Sequence, residues 1–252
     1  MVWDQTQFNR AGQSFFMALR LLTRLPLQGN ERPDNGLLLL FFPVVGLVLG
    51  LVLWLLAAFL IYAVGPLTAA FLAAIGFPLL FWWLTEGRNL TGLIWAAGNW
   101  EMPEQLGHDE EHYRPFWIIV IVQAFFLARV AATGILIYTG HPLWLAVGTT
   151  MAMAAHAELL KESVLSPAQK AQPYWHWIIA GTIAILISGL LKGLPAGILA
   201  LVLPLVLTPI FGRVVGANCG SNTEHGHAAI REVTEILVLL IGVLFFASQH
   251  PL

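Results

Sequence analysis

The sequence predicts an all-α fold, a polytopic transmembrane helical bundle of about six or seven spans. Three observations carry that expectation. Hydrophobic residues make up 58% of the 252-residue chain and charged residues only 10%, against about a quarter charged in an ordinary soluble domain. Mean hydropathy is +0.77. From Gly36 to Leu84 no Asp, Glu, Lys or Arg occurs, and one bilayer crossing needs about 20 such residues.

The elements follow in order. Residues 5–23 read as a short amphipathic helix, because Phe8, Phe15, Phe16, Leu19 and Leu22 recur at near-helical spacing with Arg10 and Arg20 between them. Such a helix suits a membrane interface or ordinary packing equally well. Pro26 and the polar run QGNERPDNG end it. Spans at 37–63 and 67–84 come next, joined by a Gly65-Pro66 turn. A glycine-punctuated polar stretch, LTEGRNLTGLIWAAGNW (84–100), then leads through EMPEQLGHDEEHYRP to a span at 116–138 that carries Arg129. Further spans are expected from His141-Pro142 to Ala157, at 174–191, at 194–212 and at 236–248, with polar connections at 213–235 and after Ala157. No internal repeat or low-complexity linker divides the chain, so residues 1–252 read as a single integral membrane domain.

Several classes are excluded. A net charge of −2 without a basic stripe argues against a nucleic-acid partner; membrane lipid is the partner the composition implies. The single cysteine, Cys219, rules out an internal disulfide framework and a Cys-rich zinc site. The N-terminal stretch lacks a signal-peptide layout. Arg10, Arg20, Arg24 and Arg32 before the first long span favour a cytoplasmic N-terminus by the positive-inside rule.

Polar groups inside so apolar a chain are costly unless they are paired or face water, so three blocks draw attention. The first, 84–100, sets Thr85, Glu86, Arg88, Asn89 and Thr91 among Gly87, Gly92 and Gly98, which permit a tight turn or close backbone approach. It reads either as a loop receiving a phosphate or carboxylate, or as an ordinary interfacial loop. The second, His108-Asp109-Glu110-Glu111-His112, has metal-ligand spacing but lacks the zinc-protease order, and Pro115 closes it; it reads as a solvated acidic loop. The third gathers Asn218, Ser221, Asn222, Thr223, Glu224, His225 and His227 around Gly216, Gly220 and Gly226. Such a mixture suits a phosphate-receiving nest, a metal site or a proton shuttle, and equally a plain connection. Arg129 reads as a structural pairing within its span, and His156, with Glu158 and Lys161, as a helix end.

The runs FFMALRLLTRLP (15–26), FFPVVGLVLG (41–50) and LTEGRNLTGL (84–93) resemble the cobalamin synthase family. These polytopic membrane enzymes are adenosylcobinamide-GDP ribazoletransferases of late coenzyme B12 (nucleotide loop) assembly. Family members carry a Thr-Arg-(Leu/Ile/Met)-Pro segment, a Phe-Pro-Leu-Val-Gly-Leu span and a Leu-Thr-Gly-Gly-X-His-Leu-Asp-Gly-Leu-Ala-Asp-Thr loop. Near the C-terminus, GANCGSNTEHGHAAIREVTE (216–235) takes the place of the family's Gly-Gly-X-Thr-Gly-Asp-Thr-Leu-Gly-Ala block. The resemblance implies transfer of ribazole phosphate onto GDP-activated cobinamide with Mg²⁺, a displacement at a pyrophosphate, and a bacterial inner-membrane, multi-pass location.

Laid residue by residue, Thr85, Gly87, Leu90, Gly92 and Leu93 match the family loop, and Gly220 and Thr223 match the C-terminal block. Asn89 stands at the family's His; Thr91, Trp95 and Gly98 stand at its Asp positions, and His225 at the Asp of the second block. The resemblance therefore implies a divergent member with impaired or altered Mg²⁺-dependent transfer. Its expected catalytic residues are Glu86, Asn89, Thr91, Glu224 and His225. Thr85, Gly87, Gly92, Asn218, Gly220 and Thr223 are the expected substrate- or phosphate-binding set, with Glu86 and Glu224 as replacement metal ligands if they converge. The alternatives are an active transferase with these replaced ligands, or a non-catalytic binding or scaffolding subunit. The expected partners are a corrinoid or another nucleotide-linked ligand, and a second subunit in a homo- or hetero-oligomer.

Overall fold

The computed structural model describes residues 5–25, 35–99, 110–164, 174–219 and 223–247. Among them the fold is all-α: α1 (Gln5–Leu22), α2 (Asn35–Val64), α3 (Pro66–Leu84), α4 (Arg88–Asn99), α5 (Glu110–Tyr138), α6 (Trp144–Val164), α7 (Trp175–Leu190), α8 (Leu194–Cys219) and α9 (Thr223–Phe246). Four stretches are long and apolar enough to cross a membrane: Gly36–Val64, Pro66–Leu84, Phe116–Tyr138 and Leu194–Val215. They bury 17–39% of their most apolar window inside the bundle, so much of their surface is left for lipid.

The helix ends obey the local rules. Gly65 takes φ +81° and Pro66 opens α3, where its missing N–H costs nothing. α5 closes at Gly140, φ +79°, with the His141 N–H donating to the Leu136 carbonyl at 2.8 Å, a Schellman pattern. α3 ends the same way through Gly87 N–H to Trp82 O at 2.7 Å. Its left-handed position, however, is held by Glu86 at φ +56°.

α6 is the central helix. Its stretch from Trp144 to Ala155 is buried throughout, and it packs against α2, α7, α8 and α9. Small residues let the axes approach: a Cβ on Gly46 would meet the Thr149 carbonyl oxygen at 2.6 Å, and the Thr149 hydroxyl donates to the Gly46 carbonyl at 2.8 Å. Gly46 and Gly50 form the small-xxx-small spacing by which helices pack in lipid. On the other side of α6, the Trp144 indole donates to the Val238 carbonyl of α9 at 2.8 Å and lies over Gly242.

Three expectations change. Residues 84–99 are not a loop but the end of α3, a three-residue turn, 85–87, and α4, which buries Leu93 and half-buries Trp95 and Ala96 where it packs on α9. The polar block 213–235 is largely helical, ending α8 and starting α9. Pro115 does not close a loop; it lies in the second turn of α5. Glu110–His112 begin that helix, whereas His108 and Asp109 lie outside the described residues.

Candidate functional site: a pocket between α9, α6 and α2

The turn after α3 is tied down from several sides. The Arg24 N–H donates to the Leu84 carbonyl at 2.7 Å. Arg88, the first residue of α4, reaches the Leu21 carbonyl at 3.2 Å through Nη1 and Glu86 Oε2 at 3.0 Å through Nη2. The hydroxyls of Thr85 and Thr91 donate to the Phe81 and Gly87 carbonyls, at 2.9 and 3.1 Å. These are local helix-capping bonds. From this turn α4 runs against α9 at backbone distance: a Cβ on Gly92 would meet the His225 carbonyl oxygen at 2.6 Å and the Ala229 nitrogen at 2.8 Å. The two polar segments of the sequence therefore meet.

Where they meet, the helices enclose a cavity of about 330 Å³. Glu224, His227, Ala228 and Arg231 line it from α9; their spacing of three, four and seven residues is one helix stripe. His225 contributes beside them, and its ring lies 5.9 Å from that of Trp95. His156 and Leu160 face them from α6, and Arg88 enters from the start of α4. The remaining wall is apolar, formed by Leu22, Leu38, Leu39 and Phe42 of α1 and α2.

The polar groups of this pocket are unusually short of partners. Arg231 is 3% exposed, yet its Nε and Nη2 make no hydrogen bond among the described residues. His156 Nδ1 and His227 Nδ1 are likewise buried without partners, and the two rings lie 6.0 Å apart. Burial holds His227 below the ordinary histidine range, with the Glu224 carboxylate pulling the other way. An unpaired buried donor costs about 1–3 kcal/mol and a charged one more, so this arrangement is expensive without an anionic occupant.

The neighbouring carboxylates Glu232 and Glu235 offset the charge of Arg231 through space but bond another arginine, which leaves its Nε and Nη2 free of hydrogen bonds among the described residues. Arg129 of α5 bonds Glu232, and Glu235 at 2.6 Å. All three are at most 3% exposed, and the Arg129 guanidinium lies 4.8 Å from the Phe81 ring centre. The structural pairing expected for Arg129 is present. Its partners are on the face of α9 beside the pocket stripe.

Of the expected site residues, Glu224 and His225 line the pocket, Thr85, Gly87 and Gly92 shape the turn and its contact with α9, and Glu86 and Thr91 stand outside the lining. The side chains of Asn89, Asn218 and Thr223, and the whole of Gly220, lie outside the described residues. Mg²⁺ demands oxygen ligands in near-octahedral geometry. Among the described residues no three of His, Cys, Asp and Glu stand close enough to hold a metal ion. Glu86 is exposed and held by Arg88, away from Glu224's pocket. The described residues therefore do not fit the divalent metal that the family resemblance implies.

Sequence reasoning missed Arg231 and misjudged His156. Arg231 follows His227 by four residues on a helix and was legible as a same-face pair, but only with 223–246 recognised as continuous helix. Nothing in the sequence signals that His156 faces it across the bundle.

Fold and pocket together define a helical membrane protein with a polar cavity enclosed by its helices. The Cobalamin-5-phosphate synthase family profile matches residues 14–94, covering α1 to α3, the turn and the start of α4. An adenosylcobinamide-GDP ribazoletransferase of Pseudomonas entomophila (strain L48) is 35% identical over 152 residues, 56% of this chain and 59% of that protein. One of Acinetobacter baumannii (strain ACICU) is 40% identical over 89 residues, 34% of each chain. One of Pseudomonas putida (strain ATCC 700007 / DSM 6899 / JCM 31910 / BCRC 17059 / LMG 24140 / F1) is 34% identical over 138 residues, 53% of each. No solved structure matches. The chain spans between a third and three fifths of the length of these relatives, and its likeness to the cobalamin synthase family rests on that part.

Proposed function

We propose that this protein is a membrane component of late coenzyme B12 assembly, seated in a bacterial inner membrane, whose ligand site is the pocket between α9, α6 and α2. One observation carries this reading: the family-matched turn at 85–93 and the polar start of α9 are pressed together at Gly92, and the cavity opens where they meet. The relatives are named as adenosylcobinamide-GDP ribazoletransferases. A nucleotide-linked corrinoid is accordingly the ligand class proposed here.

The reading further holds that ribazole phosphate transfer is altered relative to the family. The described donor set does not fit Mg²⁺, and loss of one positioned electrostatic group costs on the order of 10²–10³ in rate. That same observation favours a second reading, a non-catalytic binding subunit that works beside an active homologue.

The deciding experiment is transferase activity of the full chain in lipid. It uses adenosylcobinamide-GDP and α-ribazole phosphate with Mg²⁺, Mn²⁺ or EDTA, with an active relative run alongside. Turnover establishes a transferase with relocated groups. Corrinoid binding without turnover establishes the binding subunit. Neither binding nor turnover, while the relative works in the same lipid, removs the B12 reading altogether.

A further inference from the structure

Arg231 presents a problem of charge. It is a guanidinium almost fully withdrawn from water, with two of its three nitrogens unbonded among the described residues, on a helix whose adjacent carboxylates, Glu232 and Glu235, bond Arg129. A buried charge without a bonded partner persists only where something offsets its desolvation. The open space beside it is the cavity, and the other groups turned towards that space are a second arginine, Arg88, and the imidazoles of His156 and His227. Two further polar groups line it, His225 and, exposed in the first turn of α9, Glu224.

We propose that this cavity is a phosphate site that needs no metal ion: Arg231 grips the anion from within the bundle, Arg88 closes over it, and His156 and His227 donate hydrogen bonds to it. The arginine fork matches phosphate geometry, and the first turn of α9 adds the positive end of a helix. Side-chain cations thus do the charge neutralisation that carboxylate-held metal would otherwise do. The apolar wall of Leu22, Leu38, Leu39 and Phe42 specifies what the phosphate is attached to, an apolar or aromatic body. A soluble phosphate ester and a lipid phosphate share that chemistry. The proposal names the ligand chemistry of the pocket identified above, and for that location it rests on the proposed function.

The test is binding of phenyl phosphate to the full chain in nanodiscs of phosphatidylcholine, in EDTA, by calorimetry. Saturable binding tighter than that of inorganic phosphate is expected. Arg231→Met, similar in volume but uncharged, should weaken it roughly 10–100-fold, the range for a hydrogen bond to a charged group. Arg88→Ala should weaken binding several-fold with only a small loss in melting, since its bonds to the Leu21 carbonyl and Glu86 are exposed. Binding that needs Mg²⁺, or binding indifferent to both substitutions, would overturn the proposal. Repeating the titration in nanodiscs containing phosphatidic acid separates the sources. Competition identifies a lipid phosphate and its absence a soluble ester, and the site stands in both cases. Phenyl phosphate bound by a protein without corrinoid binding or turnover sinks the B12 reading and leaves the phosphate site in place. Turnover with Arg231-insensitive binding does the reverse.

Discussion

The backbone of Gly92 lies directly against that of His225, with room for no side chain between them: a Cβ there would sit 2.6 Å from the His225 carbonyl oxygen. This contact joins the turn after α3 to the start of α9, and the pocket exists because of it. Backbone cannot yield as a flexible side chain can. Gly92→Ala is therefore expected to push α4 off α9 and to destabilise the fold by about 1–3 kcal/mol, the usual cost of overpacking. Thermal melting in detergent reads the loss, and ligand binding at the pocket should fall with it. Melting and binding equal to the parent's would show that the contact is looser than described.

The Arg129–Glu232–Glu235 cluster predicts a sharp asymmetry between breaking and replacing. Arg129→Met alone leaves two buried carboxylates without their cation, and should cost about 3–5 kcal/mol. Adding Glu232→Leu and Glu235→Leu to the same chain should recover part of that loss, since both stranded carboxylates are then gone, though Arg231 loses the charge that offset it. A double-mutant comparison of melting temperatures checks it. Equal stability of single and triple variants would remove the charge argument.

Glu86 occupies a backbone conformation that suits glycine, φ +56°, at the position where the family loop has one of its two adjacent glycines. The left-handed conformation costs an ordinary residue roughly 1–2 kcal/mol. Glu86→Gly should therefore stabilise the protein by about 1 kcal/mol, partly offset by the greater chain entropy of glycine. Its exposed pair with Arg88 contributes little. The same variant should keep phosphate binding. A loss of binding or of metal response would restore Glu86 as a functional ligand.

His227 makes stability and anion binding depend on pH in opposite directions. Its folded-state value lies below its unfolded one, so the fold favours the neutral ring. That contribution is present above about pH 6.5 and is lost as pH falls below it. The ligand-free protein should then melt progressively lower below about pH 6.5, and His227→Gln should flatten that part of the profile. An anion reverses the preference, because it stabilises the protonated imidazole and binding takes up a proton. Sulfate, whose charge is constant over this range, should accordingly bind more tightly at pH 5.5 than at pH 7.5. Glu224, His225 and Arg231 on α9, His156 on α6 and Arg88 on α4 share the pocket, so the His227→Gln profile is the control that assigns the effect.

Much of this protein was determined by its sequence alone. The apolar runs dictated helices in a membrane, because a backbone in lipid must satisfy its own hydrogen bonds. The glycines and Gly65-Pro66 marked turns by their φ preferences, and the 15–26, 41–50 and 84–93 runs carried the resemblance to the cobalamin synthase family. Arg129 announced a buried partner, since a lone charge in a span is too costly to leave unpaired. The tertiary structure decided the rest. It turned most of 84–99, with 213–219 and 223–235, from apparent loops into helices, because α4 and the start of α9 gain from packing on each other, an energy that local pattern does not contain. It set Arg231 and His156, 75 positions apart in the chain, across one cavity, and it placed Glu86 outside that cavity. Local chemistry names the residues able to bind an anion. Only the packing of α9 between α4 and α6 determines which of them face the same empty space.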